Sequence, residues 1–232
     1  MGFDPIYFLF PIIVMVLSFG IVYKLVKSVK VLMFSALAYY IAILLKVLVQ
    51  LFTLNYIESL NNLPILGLYY GLQTSMFEVG LAYAFALLGK IKDGWGYGVS
   101  LAMWENGVLV SIPTLFTYMA YYFFPSILSI PPQLEYPVIQ ALPLIGLSTL
   151  ERVSSLLVHS SWGYLSVLSV ITGRKRLFLV AFPMGLVDFL VPFEKHLGIL
   201  TFEFILFSIG LICLAIAWSL GQYYRSTSSK GT

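Results

Sequence analysis

Charge is scarce in this chain. Asp, Glu, Lys and Arg together make up 10% of its 232 residues, against about 25% in a soluble domain. That shortage excludes an ordinary water-soluble globule, a disordered chain and a nucleic-acid binder. Cysteine is nearly absent too. The one thiol, Cys213, lies in an apolar run, so an intrachain disulfide and a thiolate metal cage are both excluded. It reads as a small buried apolar side chain. Histidine occurs twice, at His159 and His196.

What fills the chain is apolar surface. Hydrophobic residues reach 60% and the mean hydropathy is +0.95. A spanning helix takes about 20 residues, so seven helices use roughly 140 positions and leave no room for a sizeable soluble domain. The expected fold is all-α: one polytopic membrane domain over 1–232. Its helices fall at about 5–23, 31–53, 65–89, 97–124, 138–172, 177–193 and 198–224. The fifth run is long and contains Pro143 and Gly146, which predicts interfacial or kinked first turns. The opening Met1-Gly2-Phe3-Asp4-Pro5 lacks a basic n-region, so the first helix is expected to be retained.

The basic residues alternate with the spans. Lys24, Lys27 and Lys30 follow the first run, and Lys90 and Lys92 the third. Arg174, Lys175 and Arg176 follow the fifth, and Arg225 and Lys230 the last. These are ten of the thirteen Lys and Arg residues. The intervening connections hold Lys195 alone, beside Glu58, Glu135 and Glu194. The positive-inside rule then puts the N-terminus outside and the C-terminus in the cytoplasm. Tyr39-Tyr40, Tyr69-Tyr70, Tyr121 to Phe124 and Tyr223-Tyr224 read as interfacial aromatic belts. The tail from Ser226 to Thr232 is short and polar, and is expected to be mobile.

Ionisable residues within spans are costly and face protein or water-filled interior. Here they are Lys46, Glu78, Glu105, Glu151, Arg152, His159 and Asp188, with Glu203 close enough to the outer end of its helix to reach water. Counted from the cytoplasmic ends, Glu78 lies 11 residues in, Glu105 8, His159 13 and Asp188 11. At about 1.5 Å per residue these four share a layer roughly 12 to 20 Å deep. One layer fed by four helices points to a built site. Glu, His and Asp together can bind a divalent metal such as zinc, or activate water without one. Glu151, Arg152 and Lys46 lie further out. They form either part of the same cavity or a charge-neutralising packing network. His196 sits in a loop and reads as solvated.

Several chemistries are absent. The last helix has no Schiff-base lysine for a retinal pigment, and a bis-histidine haem needs a second in-span His. H-E-x-x-H is missing, a di-aspartyl protease needs a partner for Asp188, and no phosphate-binding Gly-rich loop occurs. A Ser148–His159 dyad lacks the Gly after the Ser and would place both groups on one helix.

The run Glu151-Arg152-Val153-Ser154-Ser155-Leu156-Leu157-Val158-His159 resembles the E-R-x6-H signature of the YhfC-type intramembrane metalloprotease family, itself related to CAAX-prenyl-protease and PrsW-like membrane peptidases. Phe77-Glu78 is similar to the start of that family's F-E-E-x-x-R segment. Glu105 falls at the end of its H-G-x-x-E stretch, and Asp188 at the end of its H-x-x-x-D. The likeness covers the third to sixth runs. Val79, Ala82, Leu101 and Met184 stand where the family has Glu, Arg, His and His.

The resemblance implies peptide hydrolysis by a water activated between Glu and His, with or without a metal. It makes Glu151 a general base or ligand. His159 would position water, bind metal or stabilise an oxyanion. Glu78, Glu105 and Asp188 become ligands or their partners, and Arg152 a charge stabiliser. His159, Glu78 and Glu105 are the metal ligands it suggests. The expected surroundings are the lipid bilayer, with a membrane peptide substrate or other membrane subunits as partners. The expected location is the plasma membrane of a prokaryote. A non-catalytic scaffold, or subunit of a membrane complex, and a proton-coupled small-solute transporter remain open from the residues alone.

Overall fold

The computed structural model describes residues 3–125 and 128–228, with the side chains of Gln133, Arg225, Thr227 and Ser228 left aside. Lys230, Met1-Gly2 and the tail from Ser229 lie outside the described residues. Seven helices long and apolar enough to cross a membrane account for nearly all of it. They are α1 (Pro5–Leu25), α2 (Val29–Ser59), α3 (Leu63–Leu88), α4 (Gly94–Phe123), α5 (Val138–Thr172), α6 (Lys175–Leu197) and α7 (Ile199–Tyr224, continuing helically to Ser228). Among the described residues there is no strand. The chain is an integral membrane protein by this architecture.

Local chemistry sets the helix ends. The Asp4, Asn62 and Asp93 side chains accept backbone N–H bonds from Ile6, Ile65 and Gly96, satisfying donors that a helix N-terminus leaves free. Pro5 and Pro64 sit in the first turns, where no intrahelical N–H is lost. Gly173 ends α5 at φ +66° and Gly198 ends α6 at φ +76°, conformations that a Cβ opposes. The connections are short, so successive helices run antiparallel. The longest, between α4 and α5, carries a 3₁₀ turn at Pro132–Glu135.

Some boundaries differ from the sequence expectation. α2 runs on to Ser59, because its last turns are polar but still helical and Asn61, at φ 48°, makes the break. α5 is an unbroken helix through Pro143 and Gly146. Its 35 residues at about 1.5 Å each exceed a hydrocarbon core of about 30 Å, so it has length to spare at its exposed first turns. Glu194, Lys195 and His196 form a terminal helical turn of α6 rather than a loop, though all three are exposed. Ser226–Ser228 are helical as well.

Four of the spans are not uniform α-helix: α1 opens with a 3₁₀ turn at Pro5–Phe8, and three others change inside the span. α3 widens into a π-helical turn at Thr74–Val79 and α4 at Trp104–Ser111, while α6 is 3₁₀ from Phe182 to Phe193. At about 2 Å per residue, the 12 residues of the 3₁₀ stretch reach about 6 Å further than an α-helix would. That is how the shortest apolar run still spans.

α5 is the central post. Every residue from Val158 to Val167 is buried, and the helix packs against α1, α3, α4, α6 and α7. Small residues bring the helices close. Gly67, Gly71 and Ser75 follow one face of α3, and α6 lies directly on it: a Cβ on Gly185 would sit 2.6 Å from the Ser75 Cα. At the α4–α5 crossing a Cβ on Gly98 would come 2.8 Å from the Ser160 Cα. Large apolar side chains such as Leu44, Leu51, Phe52, Leu179, Leu200 and Trp218 point outward instead, as lipid-facing surfaces do.

Candidate functional site

The close α3–α6 and α4–α5 contacts aim polar side chains into one interior cavity of about 410 Å³. Lys46 of α2, Glu78 of α3, Glu105 of α4, Glu151, Arg152 and His159 of α5, and Asp188 of α6 all line it. The seven in-span ionisable residues are thus brought to a single place. Glu78, Glu105 and Asp188 each sit in one of the irregular turns described above. Irregular turns of this kind cluster at functional sites.

His159 is at the centre and 6% exposed. Its Nδ1 lies 2.9 Å from the Ser155 backbone carbonyl, a pure acceptor, so Nδ1 carries a proton. Its Nε2 lies 3.2 Å from Glu78 Oε2 and 2.9 Å from Glu105 Oε2. A bare nitrogen lone pair facing two carboxylate oxygens is repulsive. A proton or a metal ion therefore belongs between them.

Each carboxylate is held from behind. Lys46 Nζ donates to Glu78 Oε1 at 2.6 Å and to Thr74 Oγ1 at 2.8 Å, and reaches Asp188 Oδ2 at 3.5 Å. The Thr74 hydroxyl donates to Asp188. Arg152 Nη1 donates to Glu105 Oε1 at 3.0 Å, and Nη2 to Glu151. Ser155 Oγ donates to Glu105 Oε2 at 3.1 Å, and Asn106 Nδ2 to the Arg152 carbonyl at 2.9 Å. One oxygen of each Glu is thus fixed by a cation while the other faces the imidazole. The Tyr39 and Trp162 rings close the His159 sides, with centroids at 6.0 and 4.2 Å.

Three of these groups are placed so that they could hold a metal ion. One atom each from Glu78, Glu105 and His159 lie within 4.8 Å of one another. A tetrahedral ion with bonds of about 2.0–2.1 Å spaces its ligand atoms about 3.3 Å apart. The 2.9 and 3.2 Å separations fall short of that by a few tenths of an ångström, within the reach of small side-chain torsions. The hydrogen bond from Nδ1 to a backbone carbonyl is the usual support of a ligating imidazole.

Several placements correct the expectation. Lys46 does not join Glu151; its long stem carries the ammonium inward to Glu78 and Asp188. Arg152 bridges Glu105 and Glu151, so the outer network and the deep cluster are one. The acids at the imidazole are Glu78 and Glu105, whereas Glu151 pairs with Arg152 and is 40% exposed. Glu203 does not reach out to water: it is 4% exposed and lines the same cavity. Tyr39 is also buried beside His159, not part of an interfacial belt. Sequence reasoning missed Thr74, Ser155 and Trp162. Their signal was spacing, since Thr74 precedes Glu78 by four, Ser155 precedes His159 by four, and Trp162 follows it by three.

The exposed lining lies at one end. Val191, Glu194 and Ile199 are exposed, and with the half-buried Ser148 and Glu151 they lie on the parts of α5, α6 and α7 remote from the basic connections. The cavity therefore opens toward the face opposite the Lys- and Arg-rich loops. No family model, curated protein or solved structure matches the chain.

Proposed function

We propose that the protein is a membrane-embedded, metal-dependent peptidase of the YhfC-like or CAAX-protease-like kind. The single observation that carries this reading is the convergence of Glu78, Glu105 and His159 from three helices around a point that calls for positive charge, in a cavity open to one face. The E-R-x6-H resemblance over Glu151–His159 supports it.

In this reading those three residues hold one divalent ion such as zinc. When bound there, such an ion would supply Lewis acidity to polarise a carbonyl and acidify water. Lys46 and Arg152 fix the carboxylate oxygens that point away from the imidazole, and the Ser155 carbonyl fixes the ring tautomer. Glu151, the one acid of α5 and partly open to water, takes a proton from the attacking water and returns it to the leaving amine as the C–N bond breaks. Arg152 steadies the charge that develops on the carbonyl oxygen. The apolar side chains of Ile43, Val187 and Phe202 hold the peptide and exclude bulk water. The N-terminus and the cavity mouth lie outside and the C-terminus in the cytoplasm, in a prokaryotic plasma membrane; the alternation of Lys and Arg supports this orientation.

A second reading, a non-catalytic membrane scaffold or subunit, is favoured by one observation. Every charge from Asp188 through Lys46, Glu78, His159, Glu105 and Arg152 to Glu151 already has a partner. Proton-coupled transport has less support, since the exposed lining lies toward one end only. Elemental analysis of detergent-purified wild type and His159→Ala, run beside cleavage of quenched membrane peptides, separates these readings. The peptidase reading expects about one transition-metal ion per chain, lost in the variant together with cleavage. Metal-free wild type without cleavage, with both proteins folded, overturns it in favour of the scaffold.

A further inference from the structure

The acids of the cavity outnumber its cations. Lys46 and Arg152 face Glu78, Glu105, Glu151, Asp188, Glu194 and Glu203. Lys46 is shared by Glu78 and Asp188, and Arg152 by Glu105 and Glu151. Neither cation donates a hydrogen bond to Glu203 among the described residues, although the Arg152 guanidinium is near enough to act on it through space.

Glu203 is left over. It is 4% exposed, and its Oε2 is fully buried with no hydrogen-bond partner among the described residues. A buried acceptor without a partner costs about 1–3 kcal/mol, more when charged. Its place is the outer part of the cavity, alongside the exposed Glu194 and the half-open Glu151. The walls between these acids are apolar: Val191, Ile199, Phe202 and Leu206. Carboxylates set in apolar walls suit a ligand with one cationic head and an aliphatic body. The cavity volume of about 410 Å³ fits a molecule of amino-acid or dipeptide size.

We infer that the outer half of the cavity is a subsite for a protonated primary amine, with Glu203 as its counter-ion and Glu151 and Glu194 at the rim. The inference holds whether or not the deep cluster carries a metal. Should the chain cleave peptides, the subsite selects a free amino terminus.

The test uses full-length protein in detergent and two probes that differ by one charge. L-leucinamide carries a free ammonium group; N-acetyl-L-leucinamide does not. Binding is measured at pH 7 by isothermal titration and by the shift of the unfolding midpoint. L-leucinamide is expected to bind saturably and to raise the midpoint, and the acetylated probe to do neither. Glu203→Gln keeps the shape and removes the charge, so it is expected to weaken L-leucinamide at least about tenfold while metal content is unchanged. Equal binding of the two probes by wild type overturns the inference, and so does an unweakened Glu203→Gln. If that variant fails to fold, the comparison of probes on wild type still decides. Loss of metal in His159→Ala with L-leucinamide still bound separates this subsite from the deep cluster.

Discussion

Replacing Lys46 by Met tests the electrostatic core of the site. The substitution keeps the aliphatic stem and removes the ammonium that touches both Glu78 and Asp188. At 2.6 Å the Lys46–Glu78 attraction is about 6 kcal/mol with an effective dielectric constant near 20. Desolvation of the pair offsets much of this when both partners are present. Removing only the lysine forfeits the attraction and leaves the burial. Glu78 is 7% exposed, so water replaces little of the lost attraction. Breaking a buried pair from one side typically costs about 3–5 kcal/mol. For a chain of this size that corresponds to roughly 6–20 °C of unfolding midpoint. Glu78→Gln is expected to cost less, because Lys46 keeps Thr74 at 2.8 Å and Asp188 at 3.5 Å. The double variant Lys46→Met with Glu78→Gln is expected to regain much of the loss, since it leaves no orphaned charge at that contact. The assay is thermal unfolding in detergent followed by circular dichroism, read as a double-mutant cycle. A Lys46→Met protein within about 1 kcal/mol of wild type, or a double variant no more stable than Lys46→Met, would refute the reasoning.

Two further outcomes follow from the packing and the topology. Gly185→Leu is expected to prevent α6 from seating on α3, because even a Cβ there meets the Ser75 backbone at 2.6 Å; detergent-solubilised protein is expected to lose its unfolding transition or aggregate on gel filtration, and a wild-type profile would contradict the close crossing. For orientation, Ser59→Cys and Lys92→Cys mark opposite faces, and the native Cys213 is buried and adds little background. A membrane-impermeant maleimide added to intact cells is expected to label Ser59→Cys and to reach Lys92→Cys only after permeabilisation, the reverse pattern inverting the proposed topology.

Seven spans were legible because two independent patterns coincide: apolar runs of spanning length, and Lys and Arg that recur after every second run. The sixth run was the weakest by hydropathy, and Arg174 to Arg176 before it made it necessary. Convergence of the in-span charges was also legible, since depth in a helix can be counted. Pairing was not. Lys46 and Arg152 were placed by their Cα heights, but side chains this long displace a charge by more than a helical turn, and both reach inward. Glu203 differs for a related reason: its closeness to a helix end suggests water, whereas the face it occupies is turned to the cavity. Tyr39 reads as belt by residue type, and only the folded arrangement shows that its ring lies against His159.

The irregular turns were invisible in the sequence, and they bear most directly on the site. A π-helical turn holds one residue more than the α-helical turn it replaces. In α3 the widened turn spans Thr74–Val79, between the Gly67 and Gly71 face that seats α6 and the buried Ala82 and Ala86. It swings Thr74 and Glu78 toward Lys46 without changing how either flank packs. Deleting Met76, which is 58% exposed, removes the surplus residue and lets the turn close as α-helix. Both flanks then keep their register, and the protein is expected to fold with a unfolding midpoint near that of wild type. The site itself changes, because the tighter turn draws Glu78 away from the imidazole, so any metal held by wild type is expected to be lost. Leu44 is the control. It is also exposed, at 57%, but lies in regular α-helix between Ala42 and Lys46. Its deletion rotates all that follows by about 100° and takes Lys46 out of the cavity, so that protein is expected not to fold. Equal damage from the two deletions would mean that the widened turn is no local expansion, and that the position of Glu78 has another cause.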